Sequence, residues 1–186
     1  MSNEKKKEAL HLGIAERGKL YALEGNHAEA LRHYREAIRL TVQHKSPEIF
    51  FQHYTQCVME SLELSGAHQE VINYCEKARS FFEEQSDTTT YAKRSHAAVL
   101  EKQAVQHVYQ GENGEALPLL KEAQALVGRG TQKLTDDLLN WVQRGYQISN
   151  QQLQQAQERH QYFIVRKDKV NPDIAIDLPK QMNPLV

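Results

Sequence analysis

Few residues of this chain have the types and spacing that catalysis or metal binding requires. His53 and Cys57 are four residues apart, which places both on one face of a helix. A structural zinc site needs four ligands, so this pair alone does not predict a metal. We expect Cys57 to pack between helices as a small apolar residue and His53 to be exposed. His96 and His107 are expected to be solvated or hydrogen-bonded.

Known enzyme signatures are absent from the sequence. It contains no Ser/His/Asp motif, phosphate-binding loop, dinucleotide fingerprint or H-E-x-x-H zinc motif. The adjacent Glu83 and Glu84 are interpreted as a solvated charge pair rather than a catalytic dyad. We therefore expect no enzymatic activity, no catalytic residue, no bound metal and no cofactor.

The composition excludes several other classes of protein. The chain has 186 residues, 40% of them hydrophobic and 25% charged, which is typical of one folded domain. Lys and Arg number 23 against 24 Asp and Glu, so no basic excess predicts nucleic-acid binding. No apolar run is long enough to span a membrane. The apolar stretch after Lys5–Lys7 lacks a signal-peptide cleavage site, and we expect a cytoplasmic protein.

One spacing of residue types occurs three times in the chain. Each copy starts with Gly and has Glu four residues later, a small residue after five, an apolar residue after nine and Ala after twelve. The copies span Gly25–Ala37, Gly66–Ala78 and Gly111–Ala123. The glycine favours a helix end, and the small residues lie on one face of the next helix, where they permit close packing. Each copy therefore predicts two antiparallel helices joined by a tight turn.

This pattern resembles the tetratricopeptide repeat, or TPR. The first copy, taken together with the helix before it, matches best. Its signature residues are Gly18, Tyr21, Gly25, Ala30, Tyr34 and Ala37. The second and third copies are looser, and the spacing of 41 and 45 residues exceeds the usual 34. Long-period repeats of the kinesin light chain type are similar. The resemblance implies an all-α, right-handed superhelix of about three helical hairpins.

The pattern also predicts where the helices lie. We expect helices over residues 3–24, 27–44, 47–65, 68–85, 88–110 and 114–127, and a further helix from near Lys133 that caps the last repeat. Residues 1–148 then form the TPR-like solenoid, and residues 149–166 a polar, Gln-rich helix. Ser149 and Gln152 have the spacing of a capping box, which favours a separate helix. One continuous helix to about Arg166 is the alternative.

The tail, residues 167–186, contains three of the five prolines. Ile174, Ile176 and Leu178 alternate, so an extended chain presents all three to one surface, and Leu185 adds a further apolar side chain. We expect this tail to bind a partner, as an extended peptide or an edge strand. A disordered end is the alternative.

The resemblance further implies a concave groove lined by the first helix of each repeat. Carried over to this sequence, its partner-binding positions include Lys19, His53, Gln56, Glu60, Glu63 and Glu101. Glu60 and Glu63 oppose an anion, so a clamp for a C-terminal carboxylate is not expected. The chain is thus predicted to be a non-catalytic adaptor or scaffold for a protein or peptide. The alternatives are a self-assembling scaffold and a regulator that sequesters an enzyme or transcription factor.

Overall fold

The fold is all-α in the computed structural model, which describes residues 3–85 and 88–180. Within these residues there are eight α-helices, two short 3₁₀ turns and no strand. The helices are α1 Asn3–Leu23, α2 His27–Gln43, α3 Glu48–Leu64, α4 His68–Gln85, α5 Thr90–Tyr109, α6 Asn113–Val127, α7 Lys133–Gln143 and α8 Asn150–Arg159. The predicted all-α class is confirmed.

The repeated glycines end helices as predicted. Gly25, Gly66 and Gly111 have φ angles of 79°, 82° and 76°, a region that side chains other than glycine's rarely adopt. After α1, the N–H of Gly25 bonds to the carbonyl of Ala22, and the N–H of Asn26 reaches back to that of Tyr21. These bonds satisfy carbonyls that the helix end leaves free, so each glycine turns the chain into the next helix.

Helix starts agree with the sequence less closely. The Asn26 side chain caps α2 by accepting a hydrogen bond from the N–H of Glu29. The N-cap of α3 is Pro47, and α5 begins after Thr89 rather than at residue 88. Asp87, just before the predicted start at residue 88, lies outside the described residues. These differences are no larger than the one or two residues by which definitions of a helix end commonly differ.

The contacts of the chain fall into two compact units. Unit 1 contains the described residues up to Ser65 together with those from Ile164 onward. Unit 2 is Gly66–Phe163. In unit 1, α1 packs on α2 and α2 on α3.

Small residues let α1 and α2 approach closely in unit 1. Ala30 and Ala37 are fully buried on α2, with the ring of Tyr34 between them. A Cβ added at Gly18 would lie 2.7 Å from that ring. This contact explains why the first copy of the repeat places Gly opposite Tyr.

Unit 2 has its own core, to which α5, α6, α7 and α8 all contribute. Ala116, Leu120 and Ala123 of α6 are fully buried, in the positions that the repeat predicts. Residues 133–166 contain two separate helices, and Ser149 with Gln152 forms the capping box that starts α8. The helix predicted over residues 149–166 ends at Arg159, and the chain from His160 to Arg166 is not helical. The alternative of one continuous helix is therefore wrong.

The polar helix α8 packs within unit 2. It buries a narrow stripe made of Leu153, Ala156 and Gln157. The amide oxygen of Gln157 accepts a hydrogen bond from the Tyr109 hydroxyl at 2.6 Å. A buried glutamine is tolerated there because its polar group has a partner.

The close helix contacts of unit 2 give a stability prediction. Ala116→Trp should lower the free energy of unfolding by about 3 kcal/mol, because no space is available for the added ring. Ala125→Trp, on the exposed face of the same helix, should change it by less than about 1 kcal/mol. Urea unfolding of both variants measures the difference, and equal losses would contradict the packing described.

Candidate functional site

Residues 164–180, here called the C-terminal segment, lie along unit 1. Its first residues are held by Glu60 of α3, whose two carboxylate oxygens accept the N–H groups of Ile164 and Val165 at 2.9 and 3.1 Å. The Val165 side chain joins Tyr34 and Cys57 in a buried cluster. A buried carboxylate is stable here because two backbone donors satisfy it.

A second carboxylate holds the segment further along. Glu16 of α1 accepts the N–H of Asn171 at 2.7 Å with one oxygen, and its other oxygen lies 2.6 Å from Nζ of Lys19. Both side chains of this ion pair are largely buried. Glu16 and Glu60 therefore both bind backbone N–H groups of the segment.

The segment then crosses α1 at Gly13. The N–H of Ile176 donates to the carbonyl of Gly13 at 2.9 Å. A Cβ at this position would lie 2.6 Å from the carbonyl oxygen of Ile174 and 2.6 Å from the Ile176 side chain. Glycine inside a helix costs roughly 1 kcal/mol relative to alanine, and here the missing side chain makes room for the segment.

Asp177 is the most densely contacted side chain of the segment. Its carboxylate lies 3.0 Å from Nε of Arg17 and 3.1 Å from Nε2 of His33, and it accepts a hydrogen bond from the Tyr21 hydroxyl at 3.0 Å. Desolvation raises the pKa of Asp177, but the Tyr21 hydrogen bond, the charge of Arg17 and the His33 hydrogen bond outweigh it, so the pKa is lowered. Asp177 is held as the carboxylate.

The buried His33 ring supports the segment in either protonation state. Its Nδ1 lies 2.8 Å from the carbonyl oxygen of Glu29, and a carbonyl can only accept, so Nδ1 carries the proton. In the neutral ring Nε2 accepts the N–H of Leu178, which lies 3.1 Å away. In the protonated ring Nε2 donates to Asp177 instead.

Apolar packing and an arginine complete the contact. Leu178 packs against a buried cluster that includes Ile14, Ala37 and Leu40. Arg32 donates a hydrogen bond from Nη1 to the carbonyl of Pro179 at 3.1 Å. We call the surface that holds residues 174–179 the seat; its polar members are Gly13, Arg17, Tyr21, Arg32 and His33.

Beyond Pro179 the seat continues into an open depression of about 740 Å³ along α2. Three arginines line it, Arg32, Arg35 and Arg39, against two glutamates, Glu29 and Glu36. Arg32 and Arg39 pair with those glutamates. Arg35 is exposed and forms no ion pair within the part of the chain that the structure describes.

The residues carried over from the TPR groove fall into different environments. In unit 1, Lys19 and Glu60 are buried and contact the chain's own residues, and Glu63 is buried as well. Gln56 is exposed. His53, expected to be exposed, is half-buried, and burial lowers its pKa. Their contact with a partner remains a prediction.

Glu101, the remaining groove position, lies in unit 2. It accepts hydrogen bonds from the N–H and the hydroxyl of Thr135, at 3.0 and 2.6 Å, and so satisfies the N-terminus of α7. Burial raises the pKa of Glu101, although these hydrogen bonds oppose the rise.

The apolar residues predicted in the tail also have defined positions. Ile174 and Ile176 remain 45% and 38% exposed on the seat, whereas Leu178 is partly buried. Pro172–Ile174 forms a 3₁₀ turn rather than extended chain. Leu185 lies outside the described residues.

The polar members of the seat were not among the binding residues predicted from the sequence. Gly13, Arg17 and Tyr21 follow one line of α1 at intervals of four residues. A glycine inside a helix, far from any turn, was the signal that another part of the chain passes close by.

The described residues present one further group with metal-ligating side chains, in unit 2. Ligand atoms of Glu83, His96 and Glu122 lie within 4.8 Å of one another. The Arg79 guanidinium lies 3.7 and 3.6 Å from the two carboxylates, so this group is an ion-pair network around a cation that the chain itself supplies.

The His53 and Cys57 side chains lie next to each other on α3. Sγ of Cys57 and Nε2 of His53 are 4.0 Å apart, and Cys57 is fully buried. Burial raises the pKa of the Cys57 thiol to about 12, so it is not a thiolate at neutral pH.

None of the described helices is both long enough and apolar enough to cross a membrane. Comparisons with protein-family models, with curated proteins and with solved structures found no significant match to the chain.

The crossing at Gly13 gives a prediction about stability. Gly13→Ala should lower the free energy of unfolding of unit 1 by about 1 kcal/mol or more, because the clash with Ile174 and Ile176 outweighs the gain in helix propensity. Gly114→Ala, in the first turn of α6 with open space around it, should be neutral or stabilising by up to about 1 kcal/mol. Chemical unfolding compares the two, and an equal gain at both positions would show that the segment does not cross α1 here.

The environment of Glu101 gives a prediction with a pH dependence. Glu101→Ala should destabilise unit 2 by roughly 1–3 kcal/mol, because the N–H and hydroxyl of Thr135 lose their acceptor. Glu101→Gln keeps an acceptor and removes a charge that burial disfavours, so it should be nearly neutral.

The raised pKa means that the folded chain binds more protons than the unfolded chain just above pH 4.5, the ordinary value for Glu. Stability of the wild type relative to Glu101→Gln should therefore fall as pH rises from 4.5 through the raised pKa. The exposed Glu158→Gln is the matched control and should behave as wild type. A wild-type pH profile indistinguishable from that of Glu101→Gln would contradict the raised pKa.

Proposed function

We propose that this protein is a non-catalytic adaptor that binds a segment of a partner protein on the seat of unit 1. The observation that carries the proposal is the chain's own C-terminal segment, which lies there as an irregular peptide. Backbone amides, one acidic side chain and one leucine of that segment are each recognised by a separate group. These are the elements by which a protein surface binds an extended peptide.

The resemblance to TPR proteins supports the same proposal. Two residues of the TPR-like signature, Gly18 and Tyr34, pack closely against each other in unit 1. We propose that the hairpins stack as a right-handed superhelix of the TPR type, in the cytoplasm, and that partner binding is the role of this scaffold.

A catalytic role has little support in the chemistry of the described residues. The Cys57 thiol is buried with a raised pKa, and the Glu83, His96 and Glu122 group is paired with Arg79. A nucleophile needs a nearby base and access to substrate, and Cys57 is inaccessible. Binding without turnover is the function that these environments favour.

The test is affinity purification from the native source with two charge-reversal variants. Arg17→Glu places a negative charge beside Asp177 and should abolish retention of the partner. Arg94→Glu makes the same change at an exposed position of α5 and should retain it. Quantitative mass spectrometry identifies the protein whose recovery differs, and titration of that purified protein with both variants measures the loss of affinity.

Two outcomes would contradict the proposal in different ways. Failure of the wild-type chain to retain any protein above a blank matrix would contradict the adaptor function. Equal retention by Arg17→Glu and Arg94→Glu, with both variants folded, would show that the partner binds elsewhere than the seat.

A further inference from the structure

The C-terminal segment becomes more exposed toward its end. Val165 is 9% exposed beside the anchor at Glu60, whereas Ile176 and Ile174 are 38% and 45% exposed on the seat. The Asp177 side chain is about half exposed. Release of residues 174–179 would therefore uncover less buried surface than release of the residues that Glu60 anchors.

The seat and the depression next to it carry more positive charge than the C-terminal segment pairs with. Arg17 and Tyr21 bind the Asp177 carboxylate, Nε2 of His33 lies 3.1 Å from it, and the depression beyond Pro179 carries an excess of arginine. The residue that follows Pro179 in this chain is Lys180, which does not line the depression, and Arg35 there forms no ion pair within the described residues. The tail thus supplies no acidic side chain to Arg35.

We infer that residues 174–179 act as an internal competitor and that the partner supplies a segment of matching chemistry. That segment has two aliphatic residues separated by one residue, then Asp, an aliphatic residue and Pro, followed by Asp or Glu where this chain has Lys180. The inference rests on the proposed function and specifies which partner the seat prefers. Partner binding then requires displacement of the chain's own residues, so the seat is regulated by its own tail.

A second copy of this chain is a less favourable occupant. Exchange of tails between two copies forms the same contacts as the intramolecular arrangement and adds the entropy cost of association. A tethered segment has an effective concentration of roughly 1 mM, so exchange is disfavoured below that concentration. A partner with an acidic residue after Pro avoids this disadvantage, because it gains contacts that the tail lacks.

The test is a titration of full-length chains with a labelled synthetic peptide of residues 171–180. Asp177→Lys weakens the internal competitor and leaves the seat intact. Asp173→Lys is the matched control, because it makes the same change in the same segment at an exposed carboxylate away from Arg17. Unfolding curves of each variant establish that the chain remains folded.

The peptide should bind Asp177→Lys about tenfold more tightly than wild type or Asp173→Lys. This factor follows if the peptide has an intrinsic Kd of roughly 0.1 mM and the tether supplies roughly 1 mM. Adding Arg17→Ala to Asp177→Lys should remove the gain. A peptide that carries Lys180→Glu should bind more tightly than the native peptide, and the difference should shrink at high salt.

Equal affinity for wild type, Asp173→Lys and Asp177→Lys would overturn the internal competition. An unchanged affinity after Arg17→Ala would overturn the role of the seat, and equal binding of the two peptides would overturn the acidic preference. A tail-exchanged dimer of the wild type at micromolar concentration would assign the seat to a second copy. Because the titration uses only the chain and a peptide, its failure is separate from the co-purification result, which tests the adaptor function itself.

Discussion

Two buried carboxylates, Glu16 and Glu60, determine where the C-terminal segment lies in unit 1. Each is stable in a low-dielectric environment only because donors surround it, and three of these donors are backbone N–H groups of the segment. Removal of the segment would leave both carboxylates short of partners. The segment is therefore part of the folded unit 1, and the same contacts place Asp177 beside α1 and α2.

The helical hairpins were predictable because their signals are local. Gly25, Gly66 and Gly111 adopt a conformation that few residues other than glycine favour, and the alanines that follow each glycine are spaced by the helix period. The position of the C-terminal segment was not predictable in this way. Its hydrogen bonds to Glu60 and Glu16 join residues more than 100 positions apart, and no spacing rule reports such contacts.

The candidate site shows the limit of transferring positions from a family. Lys19 and Glu60 were assigned to a groove surface open to a partner. In this chain both are buried: Lys19 forms an ion pair with Glu16, and Glu60 binds the chain's own C-terminal segment. The transfer assumed that these side chains were open to a partner. Gly13 was the informative residue. A glycine inside a helix lowers the stability of that helix, so its presence there indicates that another group needs the space.

The two kinds of contact along the segment suit one surface to both folding and the proposed binding. Glu60 and Glu16 bind backbone N–H groups with buried carboxylates. Arg17 and Tyr21 bind a particular side chain, Asp177, at the more exposed end of the segment. The contacts that select a side chain therefore lie where the segment is less buried. In the proposed function, exchange of the occupant there would uncover less buried surface than exchange at the Glu60 end.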